Sequence, residues 1–436
     1  MYYRFFYAFN MLTIPFIRDN RDAVLKGLKV KNFKTPELIE EIIELDNTRR
    51  SLQVKTNELQ ARMNKLSKEI GQLFKSGERE KANQVKEQTT GIKQELESME
   101  HDLQRANERM NELLVQVPNV SHPSVPEGNS EADNKEIRNG GDIPKLHEGA
   151  MPHWDLGKKY KLIDFDLGVK ITGGGFPVFR GKGARLQRAL IAYFLDQNIQ
   201  AGYEEILPPL MVNEESGFGT GQLPDKEGQM YHVTGDNLYL IPTSEVPVTN
   251  IYRDVILDAE ELPIKNTAYT PCFRREAGSY GKDVRGLNRV HQFDKVEIVQ
   301  IQHPSNSYKA LEEMVAHVEQ LVISLGLPYR IVQLCGGDLS FTSALTYDFE
   351  VYSAAQDKWL EVSSVSNFES YQANRLKLRF REPGEKKPQL AHTLNGSSLA
   401  LPRILAAILE NNQTPEGIKI PEVLHPYMGE GNEMIT

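Results

Sequence analysis

The chain has 436 residues, 39% of them hydrophobic, and a formal net charge of -9. Such a chain buries a substantial core and suggests two or three domains, while its acidic balance argues against indiscriminate nucleic-acid binding and still allows a local basic face. Two cysteines, Cys272 and Cys335, offer neither a disulfide framework nor paired zinc-ligand spacing, and no run of about 18 apolar residues occurs, so the composition fits a cytoplasmic protein without a membrane span.

Residues 1–10, MYYRFFYAFN, are too short and too interrupted for a signal-peptide core. They read as an extension ahead of a start at Met11, with a short packed strand as the equal alternative. From Pro36 to Val117 no proline interrupts a long helical pattern. Leu38, Ile42, Leu45, Leu52, Leu59, Met63, Leu66, Ile70 and Leu73 recur at spacings of three, four or seven, and Val85, Ile92, Leu96, Met99, Leu103, Ala106, Met110, Leu113 and Val117 repeat the scheme. Two heptad seams around a polar break at Ser76 and Gly77 predict a long antiparallel coiled-coil hairpin. Arg49, Arg50, Lys55, Arg62, Lys65, Lys68 and Lys75 face only Glu58 and Glu69 over the same span, a bias that suits either a solvated face or contact with phosphates.

Prolines and glycines among charges mark 118–150 as a linker, and a C-terminal domain follows over 151–436, after an N-terminal domain at 11–117. Strand patterns occupy Gly235–Ile241, Thr267–Arg275, Val290–Gln300, Tyr329–Leu334, Ala344–Ser353 and Trp359–Asn367; helical patterns occupy Gly183–Gln200, Ser307–Leu325 and Ser397–Asn411. Strands and helices without a regular alternation predict an α+β domain on an antiparallel sheet.

No GxxxxGK[ST] loop occurs, and Gly173, Gly174 and Gly175 lack dinucleotide-fingerprint spacing. The chemistry concentrates instead in FRREAGSYGKDVRGLNRVHQFDKVE, from Phe273. Strand alternation places Arg274 and Glu276 on one face, and Phe293, Lys295 and Glu297 on one face. A guanidinium takes phosphate bidentately, a carboxylate accepts from an exocyclic amine, and an aromatic face stacks on a purine; a solvated surface hairpin is the plain alternative. TSEVP, Thr243 to Pro247, suits a cradle for a small ligand bearing an ammonium group and equally a helix cap. In EVSSVSN, regular alternation sends Glu361 and Ser363 one way and Ser364 the other, as a hard magnesium ion or a polar strand face would use them. HTLNGSSLALPRILAAILENNQ, from His392, predicts a strand, a tight turn at Asn395 and Gly396, and a helix capped by Ser397 or Ser398 that carries Arg403.

The joint order of these segments resembles the three signature motifs of class II aminoacyl-tRNA synthetases: GARLQRALIAYFLDQNIQAGYEEILPPLMV with Pro209, the FRRE loop with RVHQF, and NGSSLALPR. With TSE, QFDKVE and the N-terminal hairpin, the resemblance is specifically to the seryl-tRNA synthetase family, bacterial type, and covers nearly all of the chain from Met11. The chain departs from the commoner family pattern at Ser398 and Pro402, where glycines are more usual.

The resemblance implies an ATP-dependent, AMP- and pyrophosphate-forming ligase that activates L-serine and charges tRNA(Ser), and tRNA(Sec) where that tRNA exists. It implies Arg274, Arg275, Glu276, Val290, Phe293, Glu361, Val362, Ser363, Ser364 and Arg403 for ATP, with Arg274, Glu276 and Arg403 catalytic. Thr243, Ser244, Glu245, Arg274, Glu297 and Ser397 are implied for serine, and Glu361 and Ser364 for Mg2+. It further implies a homodimer built through the first motif, and an arm that grips the tRNA of the partner subunit. Two competitors are a ligase that loads a carrier protein, which would lack the arm, and a catalytically dead coiled-coil interaction protein, which would lose the charged site residues.

Overall fold

A computed structural model describes residues 12–225, 228–277 and 285–436; the extension at 1–10 lies outside the described residues. The described residues divide into two compact units, one of 12–29 with 33–118 and the other of 30–32 with 119–436.

In the first unit, α1 (Glu37–Lys75) and α2 (Arg79–Leu114) form the antiparallel hairpin, turning at the polar break the sequence marks. At about 1.5 Å per residue the arms run roughly 55–60 Å. Leu38, Leu45, Leu52, Leu59, Leu66 and Leu73 are each seven apart, and every one is half-buried while their neighbours are mostly exposed. Ile92, Leu96, Ala106, Met110 and Leu113 are buried from the opposite arm. A strict seven-residue repeat keeps both seams facing each other along the whole length, which is why polar arms stay paired. At the base the fully buried Asp46 is bridged by Arg18 at 2.8 Å and Arg49 at 2.6 Å.

The second unit is built on an eight-stranded sheet: β1 (Lys135–Gly140), β2 (Glu204–Glu205), β3 (Ile264–Phe273), β4 (Gln292–Gln302), β5 (Tyr329–Gln333), β6 (Leu345–Ser353), β7 (Lys358–Asn367) and β8 (His392–Ala400), in the order β1-β5-β6-β7-β8-β4-β3-β2. All neighbours are antiparallel except β2 and β3. This is the α+β architecture the patterning predicts. Helices α3 (His153–Lys159), α4 (Gly181–Gln200), α5 (Glu245–Asn250), α6 (Ser307–Ser324) and α7 (Leu401–Asn411) surround it. The apolar core joins Leu190 and Phe194 of α4, Leu311 and Val315 of α6, and Leu405 and Ile408 of α7 to Val296 and Ile298 of β4, Phe349 of β6 and Leu394 of β8.

Two expectations change. Strand β3 ends at Phe273, so Arg274 and Arg275 lie beyond the sheet. The predicted turn at Asn395 and Gly396 is absent: both lie inside β8, paired with Val299 and Ile298 of β4, and α7 begins only at Leu401. Gly396 is there because of crowding, since a Cβ would come within 3.0 Å of Val365 on β7. Neither Ser397 nor Ser398 caps the helix; Ser398 is buried and accepts from Asn198 at 2.6 Å. Pro402 sits in the first helical turn, where its missing N–H costs nothing. No described helix is long and apolar enough to cross a membrane.

Candidate active site

β4 is paired on both sides, by β3 and β8, so its alternation is rigidly imposed. Val296 and Ile298 enter the apolar core, and Phe293, Lys295 and Glu297 take the other face, as strand periodicity predicts. Lys295 and Glu297 are buried and form an ion pair. The Lys295 ammonium also donates to Thr243 Oγ1 at 2.8 Å, and that hydroxyl lies 3.4 Å from Glu297 Oε2. Thr243 and Ser244 precede α5, whose first residue is Glu245. The Thr243 hydroxyl lies in this polar cluster and also accepts from the Glu245 N–H at 3.2 Å, where α5 begins, while Ser244 forms no side-chain cap. The buried Ser244 hydroxyl has no hydrogen-bond partner among the described residues.

Glu245 accepts from Gln372 Nε2 at 2.6 Å, and Gln372 accepts from Thr393 at 2.6 Å. Burial, then the nearby Glu297 charge, push the Glu245 carboxyl up to about 7, against the opposing pull of Gln372 and Lys295. Lys295 pairs directly with Glu297 alone and only partly offsets the charge of Glu245. Ser397 lies opposite Glu297 across the β4–β8 ladder.

Beyond β3 the chain leaves the sheet with Arg274 N–H bonded to the His291 carbonyl at 2.9 Å and Arg275 N–H to the Gln229 carbonyl at 2.8 Å. The Arg274 guanidinium lies 5.2 Å from the Phe293 ring centroid, and its Nε donates to the Pro242 carbonyl at 3.3 Å, beside Thr243. Arg275 is exposed. Glu276 takes φ +48° and pairs with Arg289 at 3.0 Å, and the adjacent Val290 is buried.

On the neighbouring strands a bulge corrects the simple alternation. Glu361 pairs with Glu350 and Ser363 with Phe349, so Val362 is an extra residue on β7. The insertion turns Ser364 to the side of Glu361, with its hydroxyl 3.4 Å from Glu361 Oε1, and turns Ser363 to donate to the Ser397 carbonyl at 2.5 Å. Asp348, opposite Ser364, joins them; burial, then the Glu361 charge, drive its carboxyl well above the usual range. Its Oδ1 is buried and finds no hydrogen-bond partner among the described residues. Arg403 reaches over from α7, with Nε to the Asn288 carbonyl at 3.0 Å, Nη1 to the Glu361 carbonyl at 2.8 Å, and the Glu361 carboxylate at 3.6 Å.

The structure therefore gathers Arg274, Phe293, Glu297, Glu361, Ser364, Ser397 and Arg403 along the polar face of β4, β7 and β8, with Thr243 and Glu245 at its edge, and Arg275 outside. Lys295, Gln372 and Asp348 belong to the same surface and were given no role from sequence. Lys295 was legible as the third member of QFDKVE's inward face, whereas Asp348 and Gln372 arrive only through strand pairing and packing.

A polar face on an antiparallel sheet, flanked by arginines from a loop and from a following helix, is the arrangement of the class II aminoacyl-tRNA synthetase core. Residues 231–412 match the family model described as the tRNA synthetase class II core domain (G, H, P, S and T), and residues 11–121 match the seryl-tRNA synthetase N-terminal domain. A serine--tRNA ligase of Salinibacter ruber is 49% identical over 96% of this chain and 98% of its own length. A seryl-tRNA synthetase of Pyrococcus horikoshii, solved with ATP, superposes with a TM-score of 0.92 at 34% identity over 98% of this chain and 99% of its own. A cytoplasmic serine-tRNA ligase of Naegleria fowleri, solved with AMP, gives 0.88 at 29% identity over 98% and 99%. The chain belongs to the seryl-tRNA synthetase family.

The raised Glu245 carboxyl makes a stability prediction. Because it moves from 4.5 to about 7 on folding, its ionisation opposes folding, beginning above the first value and complete above the second. Glu245→Gln removes that opposition, so the variant gains on the wild type as pH rises from 5 to 8, by an amount on the order of a few kcal/mol. Urea unfolding midpoints at the two pH values measure it; a difference that stays constant with pH contradicts the assignment.

Proposed function

We propose that the enzyme activates L-serine with ATP and transfers it to the 3' terminal adenosine of tRNA(Ser), with the chemistry carried by the face just described. A serine carboxylate oxygen attacks the α-phosphorus, forming seryl-adenylate as the α–β phosphoanhydride bond breaks and pyrophosphate leaves. A hydroxyl of the terminal adenosine then attacks the seryl carbonyl and AMP leaves. The observation that carries this reading is the buried Thr243–Lys295–Glu297–Glu245 cluster beside Arg274: two carboxylates and one ammonium leave room for the substrate's own ammonium, and the adjacent hydroxyl and carboxylate match its hydroxyl.

In this reading Arg274 holds the α-phosphate and lies near the serine carboxylate, Glu276 and the Val290 backbone meet the adenine, Phe293 stacks on it, and Arg403 holds the γ-phosphate. Arg275, Val362 and Ser363 complete the ATP site, and Ser244 and Ser397 the serine site. The residues also fit Mg2+: Glu361, Ser364 and the orphaned Oδ1 of Asp348 are all hard oxygen donors. Glu361, Ser364 and Asp348 would hold such an ion, which would supply positive charge against the negative charge of the phosphates. Positioning and charge neutralisation suffice for this chemistry, and no covalent enzyme intermediate is needed.

The domain at 11–117 with its hairpin arm is assigned to the tRNA, the basic stretch from Arg49 to Lys75 meeting phosphates, with tRNA(Sec) as a second acceptor where it exists. The protein works in the cytoplasm as a homodimer. Support for the dimer comes from the first motif, where Leu207 is 88% exposed with Leu210, Met211 and Ile199 exposed nearby.

In a panel of amino acids, serine alone supports rapid exchange between ATP and pyrophosphate, and replacing Leu52–Met110 by a short turn keeps that exchange while abolishing tRNA charging. Loss of both activities together in a folded variant contradicts the division of labour. Arg274→Ala lowers exchange by about 10²-fold or more with the fold intact by circular dichroism, as removal of a preorganised charge does; near-wild-type exchange rejects its phosphate role. Leu207→Asp shifts the protein from dimer to monomer in light scattering, and a monomeric wild type contradicts the assembly.

A further inference from the structure

Behind the loop that returns to β4 lies a buried group of polar side chains that touches neither proposed substrate. His153, the first residue of α3, and Glu410, near the end of α7, are both fully buried. His153 Nε2 lies 2.8 Å from the backbone N–H of Leu287, which can only donate, so Nε2 is the acceptor and the proton sits on Nδ1. Nδ1 in turn lies 2.6 Å from Glu410 Oε1, which also accepts from the His153 backbone at 2.8 Å and from Gln356 Nε2 at 2.9 Å. Ser353 donates to the second carboxylate oxygen. Gln356 accepts from Asn288 Nδ2 at 2.8 Å, and the Asn288 carbonyl is the group that receives Arg403 Nε.

The circuit closes on one helix. Arg403 and Glu410 are seven residues apart on α7, two turns along the same face, so one helix holds the Leu287–Asn288 limb at two points, directly through Arg403 and indirectly through His153 and Gln356. Gly286, at φ +66°, adds a steric signature: a Cβ there would lie 2.2 Å from His153 Nε2, so the backbone passes against the imidazole. Trp154, next on α3, lies under the Arg285 guanidinium at 4.6 Å.

We propose that His153 and Glu410 are positioning residues for ATP: they fix the Leu287–Asn288 backbone so that Arg403 is held ready for the terminal phosphates. The inference rests on the reading of Arg403 as a phosphate ligand. It concerns ATP and not serine, because the circuit joins α3, the end of β6 and its turn, the loop limb and α7, whereas the Thr243–Glu245–Glu297 cluster is anchored by β4, α5 and Gln372.

Two replacements separate the two ring nitrogens. In His153→Asn the amide stands near Nδ1 and keeps the bond to Glu410 but leaves the Leu287 N–H without its acceptor; in His153→Gln the longer side chain carries an oxygen to the position of Nε2. Steady-state pyrophosphate exchange on the full-length protein, with ATP and serine varied separately, gives an ATP KM raised about tenfold in His153→Asn, the scale of one lost buried hydrogen bond. The serine KM stays within about twofold, and His153→Gln recovers most of the ATP effect. Gln356→Met, in a half-exposed turn, raises the ATP KM severalfold with the same selectivity and covers the case in which His153→Asn does not fold. Equal rises in both KM values, indistinguishable Asn and Gln variants, or unchanged ATP KM in Gln356→Met overturn the proposal. Failure of the underlying reading looks different: Arg403→Ala then leaves the ATP KM unaltered.

Discussion

The charges of this site are tolerable only because β4 is locked between two strands. A lysine and a glutamate at 295 and 297, each almost fully buried, are held side by side by the pleat itself, and the ion pair forms without either side chain having to be ordered separately. Burying a third charge, Glu245, beside them costs more than that arrangement returns. Burial first and the Glu297 charge second raise its carboxyl to about 7, and the nearby Lys295 and Gln372 offset this only in part. In the proposed reading the serine ammonium would add a positive charge beside these two carboxylates, which is the charge their proximity favours.

The second constraint is the pair of irregularities flanking β7. Under strict alternation Glu361 and Ser364, three residues apart, would stand on opposite faces, and the bulge at Val362 brings them to one. A matching irregularity on β8 sets Lys295 opposite Ala400 and Glu297 opposite Ser397, so that β8 spends one more residue than β4 before entering α7. These offsets swing the chain into the helix that carries Arg403, and they explain how serine and proline at 398 and 402 are accommodated. Ser398 turns to Asn198 and Pro402 occupies a first-turn position that needs no donor.

What was legible in the residues follows from how local each signal is. The hairpin was readable to its turn, because a heptad repeat states its own partner. The inward face of QFDKVE was readable because period-two alternation is local. Asn395 and Gly396 misled, since that dipeptide usually marks a hairpin turn, yet here the strand is central and the glycine answers to Val365 on β7, thirty residues away in sequence. Ser363 and Ser364 were assigned to the wrong faces by strict alternation because a bulge leaves no compositional trace in so short a stretch. Asp348, Gln372, His153 and Glu410 carry no local pattern; their roles exist only once distant segments meet.

Arg403 shows how these layers combine. Its Nε and Nη1 are committed to the carbonyls of Asn288 and Glu361, one from the loop limb and one from β7, which leaves the Nη2 edge as the part of the guanidinium not engaged in those bonds. A side chain held at two points by backbone has already lost the rotamer freedom that phosphate binding would otherwise take from it. The two carbonyls belong to elements that are themselves fixed, β7 by the sheet and the loop limb by the buried imidazole. Displacing either one would move the arginine without touching it, so in the proposed reading the affinity of this face for ATP depends also on residues behind the loop.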